Sequence, residues 1–149
     1  MRQGQDDTTA VFDPIVSYDP LDTDGAALLA EEFAARLGAV ITAAEADGKS
    51  VTVFHWSHPE RSMTSKYPGV DRLLEGRSFD LHAWFTDHFL TRDGTSLKAV
   101  APIFGFHWAV DDAGGAESQV KIDLARAGGD EGRAAVQWLV AYNESDVAA

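Results

Sequence analysis

A chain of 149 residues in which 45% of side chains are hydrophobic and 24% charged can bury the core of one domain, which excludes a disordered polymer. Its formal charge of −12, from 24 acidic residues against 12 scattered basic ones, argues against a tight, stand-alone grip on nucleic acid through clustered Lys and Arg. The absence of cysteine excludes disulfides and thiolate metal sites, which fits a cytoplasmic location; no run reaches the roughly 18 apolar residues of a membrane span, and no apolar signal-peptide core follows Met1–Asp7.

The segment Ala10–Asp19 reads as a short edge strand interrupted by Pro14, which has no N–H to give to a ladder. Asp22 and Asp24 then offer N-cap oxygens to a helix running to about Ala46. Leu29, Phe33, Leu37 and Val40 or Ile41 form its apolar stripe, Glu31, Glu32 and Arg36 face outward, and Asp47-Gly48 closes it with a left-handed cap. Ser50–Trp56, rich in β-branched and aromatic residues, is the strongest strand and suits a central position between helices.

Pro59 opens a short helix to about Lys66, and Val70–Glu75 adds an apolar turn ending at Gly76. Ser78–Leu90 begins as a strand, but Leu81, Trp84, Phe85, Phe89 and Leu90 are spaced for a helix, so a short strand should lead into one. Ser96 can cap a short helix over Leu97–Phe104, broken by Pro102 and closed by Gly105. Loops at Asp111–Gly115 and Ala127–Gly132 flank a weak helix, Glu117–Arg126. The last helix, Glu131–Ala149, should bury Val136, Leu139, Val140, Asn143 and Val147. The pattern is one α/β domain with few strands and much helix, short enough of strands to suggest missing sheet partners.

Two clusters could carry chemistry. Phe54-His55-Trp56-Ser57-His58-Pro59-Glu60 ends the best strand, and ligands collect at the carboxyl ends of strands in open α/β sheets. His55 and His58 are three apart, not the four of a helical zinc pair; the plainer alternative has His55 bonding to buried backbone and His58 capping the next helix. The second cluster is in the last helix. Tyr142 and Asp146 are four apart and Asn143 and Asp146 three apart, so the three share a face. A carboxylate beside a hydroxyl and an amide can hold a hard cation and steer a water; equally, Asp146 can be a solvated residue near a helix end. Asp80, between apolar neighbours, must be paired, capping the following helix, or facing a metal.

The order of these pieces resembles a known family. A strand ending in His55–Glu60 is followed by Val70–Gly76, Phe79-Asp80-Leu81, Ser96–Phe106 and Ala141–Val147. This resembles the YprB-type ribonuclease H-like domain, a branch of the DEDD 3′–5′ exonuclease superfamily, over about Tyr18 to Ala149. The resemblance implies a ribonuclease H-like fold whose central sheet, here incomplete, is flanked by helices. It also implies metal-dependent phosphodiester hydrolysis on DNA or RNA, with Mg²⁺ or Mn²⁺ held by four carboxylates. Asp146 matches the family's last metal-binding aspartate, and Tyr142 the residue that orients the attacking water. Glu60 falls where members carry the third aspartate, His55 where many carry asparagine, and Asp80 matches a supporting acid.

The family's first strand, with its Asp-x-Glu pair, has no counterpart; Asp6, Asp7 and Asp13 stand in the wrong context to replace it. The expectation is therefore a partial domain, its final helix cut three residues past Asp146, that binds metal weakly and cleaves little alone. Another domain or chain would complete the site, and the open sheet edge would favour association. The alternatives are a non-catalytic ribonuclease H-like interaction module and an unrelated hydrolase using His55, His58 and Asp80.

Overall fold

The computed structural model describes residues 11–110 and 115–149, with the side chains of residues 58–60 outside that description. Asp6, Asp7, Ala10 and most of the loop expected at Asp111–Gly115 therefore lie outside the described residues, as do the side chains of His58 and Glu60. Two compact units form. One spans residues 19–107; the other joins residues 11–18 to the chain from Trp108 to Ala148.

In the first unit, helix α1 (Thr23–Ala46) starts where expected, because the Asp22 carboxylate accepts the Gly25 N–H at 2.8 Å. It stops at Asp47, with Gly48 at φ 70°. Its packed face matches the expected stripe in part: Ile41 is buried and Leu29 and Leu37 are half-buried, whereas Phe33 and Val40 are exposed. The partner explains the difference. Helix α3 (Pro68–Leu74) has seven residues and meets α1 where side chains are small, with Ala34 near Gly69 and Gly38 near Leu73. Val70 and Leu74 of α3 are buried there, each contributing about 1.5–3 kcal/mol of apolar stabilisation.

Strands β1 (Val53–His55) and β2 (Ser78–Asp80) pair in parallel, Val53 with Ser78, Phe54 with Phe79 and His55 with Asp80. Between them run α2 (His58–Thr64) and α3, the helical crossover that a parallel pair requires. β1 is shorter than the Ser50–Trp56 run suggested, because its partner β2 itself has only three residues and turns into a helix at Asp80. Alternation puts Phe54 and Phe79 on one face, 59% and 40% exposed, with rings 5.7 Å apart. His55 and Asp80 share the other face.

Helix α4 (Leu81–His88) follows β2 without a loop, as the mixed pattern of Ser78–Leu90 predicts. Helix α5 (Leu97–Val100) is capped by Ser96 and passes into a single 3-10 turn, Ala101–Phe104, which Gly105 closes at φ 84°. Phe85 of α4 is buried among Trp56, Phe89 and Phe104, with ring centroids 5.9, 5.1 and 6.4 Å away.

In the second unit, α6 (Gly115–Ala127) and α7 (Gly129–Ala148) form a helical hairpin joined by Gly128. Gly128 and Gly129 adopt φ 76° and 71°, a left-handed pair for which glycine is suited, so the expected loop at Ala127–Gly132 shrinks to one residue. The buried face of α7 runs through Gly132, Ala135 and Ser145, not through the expected apolar set. Val136, Leu139 and Val140 are half-buried, while Asn143 and Val147 are exposed, Val147 by 73%. The helix turns its small residues inward because α6 approaches closely: a Cβ at Gly132 would lie 2.8 Å from the Leu124 carbonyl.

Residues 11–18 form no strand, a correction to the edge strand expected there. Pro14 cannot donate to a ladder, and the segment lies along the hairpin instead, where Arg126 Nε donates to the Tyr18 carbonyl. Together they line a groove of about 260 Å³ that includes Ile15, Ile122, Leu139, Tyr142 and Asn143.

Candidate functional site

At the carboxyl ends of β1 and β2, His55, Ser57 and Asp80 are tied together. The Asp80 carboxylate accepts two N–H groups through Oδ1, from Ala83 at 3.0 Å and Ser57 at 3.3 Å. The first makes Asp80 the N-cap of α4. His55 Nδ1 donates to the Ser57 carbonyl at 2.8 Å. Ser57 is thus held on both sides, and it is the one described non-glycine residue with positive φ, at 77° with ψ −167°. That region is nearly reserved for glycine and costs about 1–3 kcal/mol, so the clamp holds a strained residue between β1 and α2.

Burial works against ionisation of Asp80. The N–H groups of Ala83 and Ser57, the charge of His55 and the N–H of His82 outweigh it and hold the carboxyl below its ordinary value. Trp56 and His82 complete this edge. The Trp56 indole donates to the Thr95 carbonyl at 3.2 Å, His82 Nε2 lies 3.0 Å from Thr95 Oγ1, and the two rings meet edge to face. Glu60 falls in α2 beyond this clamp, with its side chain outside the described residues.

The second cluster sits on α7. Tyr142 and Asp146 are one turn apart and both half-buried, whereas Asn143 is exposed. The Tyr142 ring stacks on Trp138 at 5.2 Å, and Lys121 Nζ lies 5.8 Å from the Trp138 ring centre. Asp146 Oδ1 accepts the indole N–H of Trp108 at 2.7 Å. The neighbouring Ser145, only 6% exposed, accepts the Ala109 N–H at 3.1 Å and donates to the Ala141 carbonyl at 2.8 Å.

Trp108 and Ser145 are thus neighbours of a candidate residue that pattern reading passed over, as it did the strain at Ser57. Trp108 follows a turn with no periodic signal, and its one clue was chemical: a tryptophan removed from water needs a partner for its N–H.

A divalent cation needs several oxygen ligands. Among the described residues no three His, Asp or Glu side chains gather as such a group. Asp146, half-buried with one oxygen anchored by an N–H, suits a single ligand place with its supporting donor. The remaining places are not supplied by the described residues.

Residues 15–149 match the family model described as the RNase_H superfamily. The chain belongs to the RNase H superfamily. No curated protein and no solved structure matches it. Membership makes this RNase H-like chain a nucleic-acid-related, hydrolase-like domain, and its helix-rich architecture with a small parallel sheet is consistent with the α/β class. Among the described residues of the RNase H-like chain, no helix is long and apolar enough to cross a membrane.

Proposed function

We propose that this RNase H-like domain is of the YprB type within the DEDD exonuclease group and takes part in metal-dependent phosphodiester hydrolysis on DNA or RNA. The observation that carries the reading is the placement of Tyr142 and Asp146 one turn apart on α7, with Asp146 held by Trp108. In this reading Asp146 is a cation ligand, Glu60 is a further candidate that the resemblance implies, and the other carboxylates come from outside the described residues, from another domain or chain. Bound Mg²⁺ or Mn²⁺ would supply the charge that stabilises the departing oxygen and acidifies a water.

The chain's own residues prepare that chemistry. The phenol of Tyr142, its ring fixed against Trp138, orients the attacking water. Asp146 contributes a carboxylate whose direction is set by the Trp108 indole N–H. His55 and Asp80 support the strand end from which Glu60 follows.

A Mn²⁺-dependent cleavage assay on labelled single-stranded DNA and RNA tests the reading, with Asp146→Ala and Tyr142→Phe as controls. Both variants should abolish whatever cleavage the parent shows. Cleavage untouched by Asp146→Ala would discard the site.

A second reading, a non-catalytic interaction module, is favoured by one observation: both Asp80 and Asp146 already accept N–H groups of their own chain. Retained nucleic-acid binding with no cleavage, in the parent and in Asp146→Ala alike, is its signature.

A further inference from the structure

We infer that the exposed rings of Trp84, Phe89 and Phe104 form a stacking surface for unpaired bases of a single-stranded nucleic acid. The inference rests on the nucleic-acid reading above and on no cation. Exposure is its first support. Phe89 and Phe104 pack against the buried Phe85, and Trp84 meets Phe89 edge to face at 5.7 Å, so the three rings form one connected surface. They nevertheless remain 42%, 43% and 69% exposed for Trp84, Phe89 and Phe104, and the adjacent Leu90 and Ile103 are exposed as well. Apolar surface left uncovered in this way marks a binding face.

The rings are also held in place. His88 stacks on Trp84 at 5.0 Å, and its Nδ1 donates to the Trp84 carbonyl at 2.6 Å. Phe89 stacks on Phe85 at 5.1 Å, and Phe104 ends the turn that Gly105 closes. A ring already fixed by its neighbours loses little freedom when a base lies on it.

Charge selects the occupant. Residues 81–107 contain Arg92 and Lys98 against Asp87 and Asp93, so this stretch carries no net charge and the rest of the chain holds the whole −12. A polyanion is therefore repelled least over these rings. Every base offers a π-face, so stacking asks for no basic residue and no particular sequence. It also releases no counterions, so the attachment is weak and depends little on salt.

The test is fluorescence anisotropy of labelled mixed-sequence single-stranded DNA in EDTA, titrated with the whole chain. A strand of abasic sugar phosphates of the same length is the control. Four proteins are compared: the parent, Trp84→Leu, Phe104→Leu and Leu90→Ala. The two leucine variants keep apolar bulk and lose the ring, whereas Leu90→Ala loses bulk and no ring. Circular dichroism shows whether each is folded; should Trp84→Leu not fold, Phe104→Leu decides. Weak binding by the parent, none of the abasic strand, about fivefold or greater loss in the ring variants and parent-like binding in Leu90→Ala support the inference.

Parent-like binding in the ring variants overturns the inference and leaves the nucleic-acid reading standing. Equal weakening by Leu90→Ala overturns it too, since apolar area and not the π-face would be responsible, and so does equal binding of the abasic strand. A parent that sediments as a dimer, with ring variants that are monomeric and bind DNA as the parent does, overturns it in favour of a second copy as the occupant. Binding that appears only when Mn²⁺ is added overturns it and leaves the metal-dependent reading. No binding in either condition removes both.

Discussion

Asp80 shows how one side chain can hold together two elements and a strained residue. It caps α4 through the Ala83 N–H and satisfies the Ser57 N–H across the strand end. Asp80→Ala should therefore cost about 1–2 kcal/mol in urea unfolding at pH 7, the usual range for a lost cap, whereas Asp80→Asn keeps an acceptor and costs less. The pH dependence has a definite sign. The carboxyl titrates lower in the folded chain than its ordinary 3.8, so its contribution is fully present above that value. The contribution is lost as pH falls below 3.8 and through the folded value, and unfolding curves for Asp80→Asn should lack this part of the acid loss. Ser57 allows a complementary change. Its φ of 77° suits glycine, so Ser57→Gly should relieve about 1–3 kcal/mol of strain against a backbone entropy penalty of about 0.5–1 kcal/mol. A rise in melting temperature is the expected result; a fall would show that the serine side chain stabilises the turn. The Asp80 cap was legible as one of three uses for an acid between apolar neighbours. The strain at Ser57 was not, because nothing in a serine's chemistry announces a positive φ.

At the scale of elements, what could be read were the local signals and what could not were the partners. The Asp22 cap, the strand running into α4 at Asp80, and the Ser96 cap followed by Pro102 and Gly105 all came from neighbours in sequence. Ala10–Asp19 had strand composition but found no ladder among the described residues, since pairing depends on a second segment. The phase of α7 was misread for the same kind of reason. Apolar residues suggested a stripe through Val136, Val140 and Val147, while contact with α6 selected Gly132 and Ala135, where bulk is least. Gly132→Ala tests that account. Helix propensity alone would make alanine more stable by about 1 kcal/mol. The added Cβ, however, meets the Leu124 carbonyl at 2.8 Å, a backbone atom that can move only with α6. The variant should unfold at lower temperature than the parent, and a gain in stability would mean that the hairpin is more loosely packed than this contact implies.

The whole molecule must reconcile an RNase H-like domain with a formal charge of −12. Many of its cations are already committed: Arg36 to Glu32, Lys49 to Asp47, Arg61 to Asp71, Arg77 to Glu45, Lys121 to Glu117, Arg126 to Asp123 and Arg133 to Asp130. Most of these pairs are largely exposed and add little stability, but a phosphate would have to compete with a carboxylate for each of them. A protein that grips nucleic acid through 6–10 phosphate contacts loses about 10³- to 10⁵-fold in affinity between 50 and 200 mM salt. With these cations so engaged, the described residues offer little uncommitted basic surface for that behaviour. If it binds a polyanion, divalent metal at its carboxylates must reverse the local field. Fluorescence anisotropy with labelled single-stranded DNA and RNA should therefore show weak binding in EDTA, tighter binding on adding Mn²⁺, and a salt dependence far shallower than that of a basic protein. Tight binding in EDTA with a steep salt slope would mean that scattered lysines and arginines suffice after all. In that case the metal-dependent reading of Asp146 would lose its main physical motive.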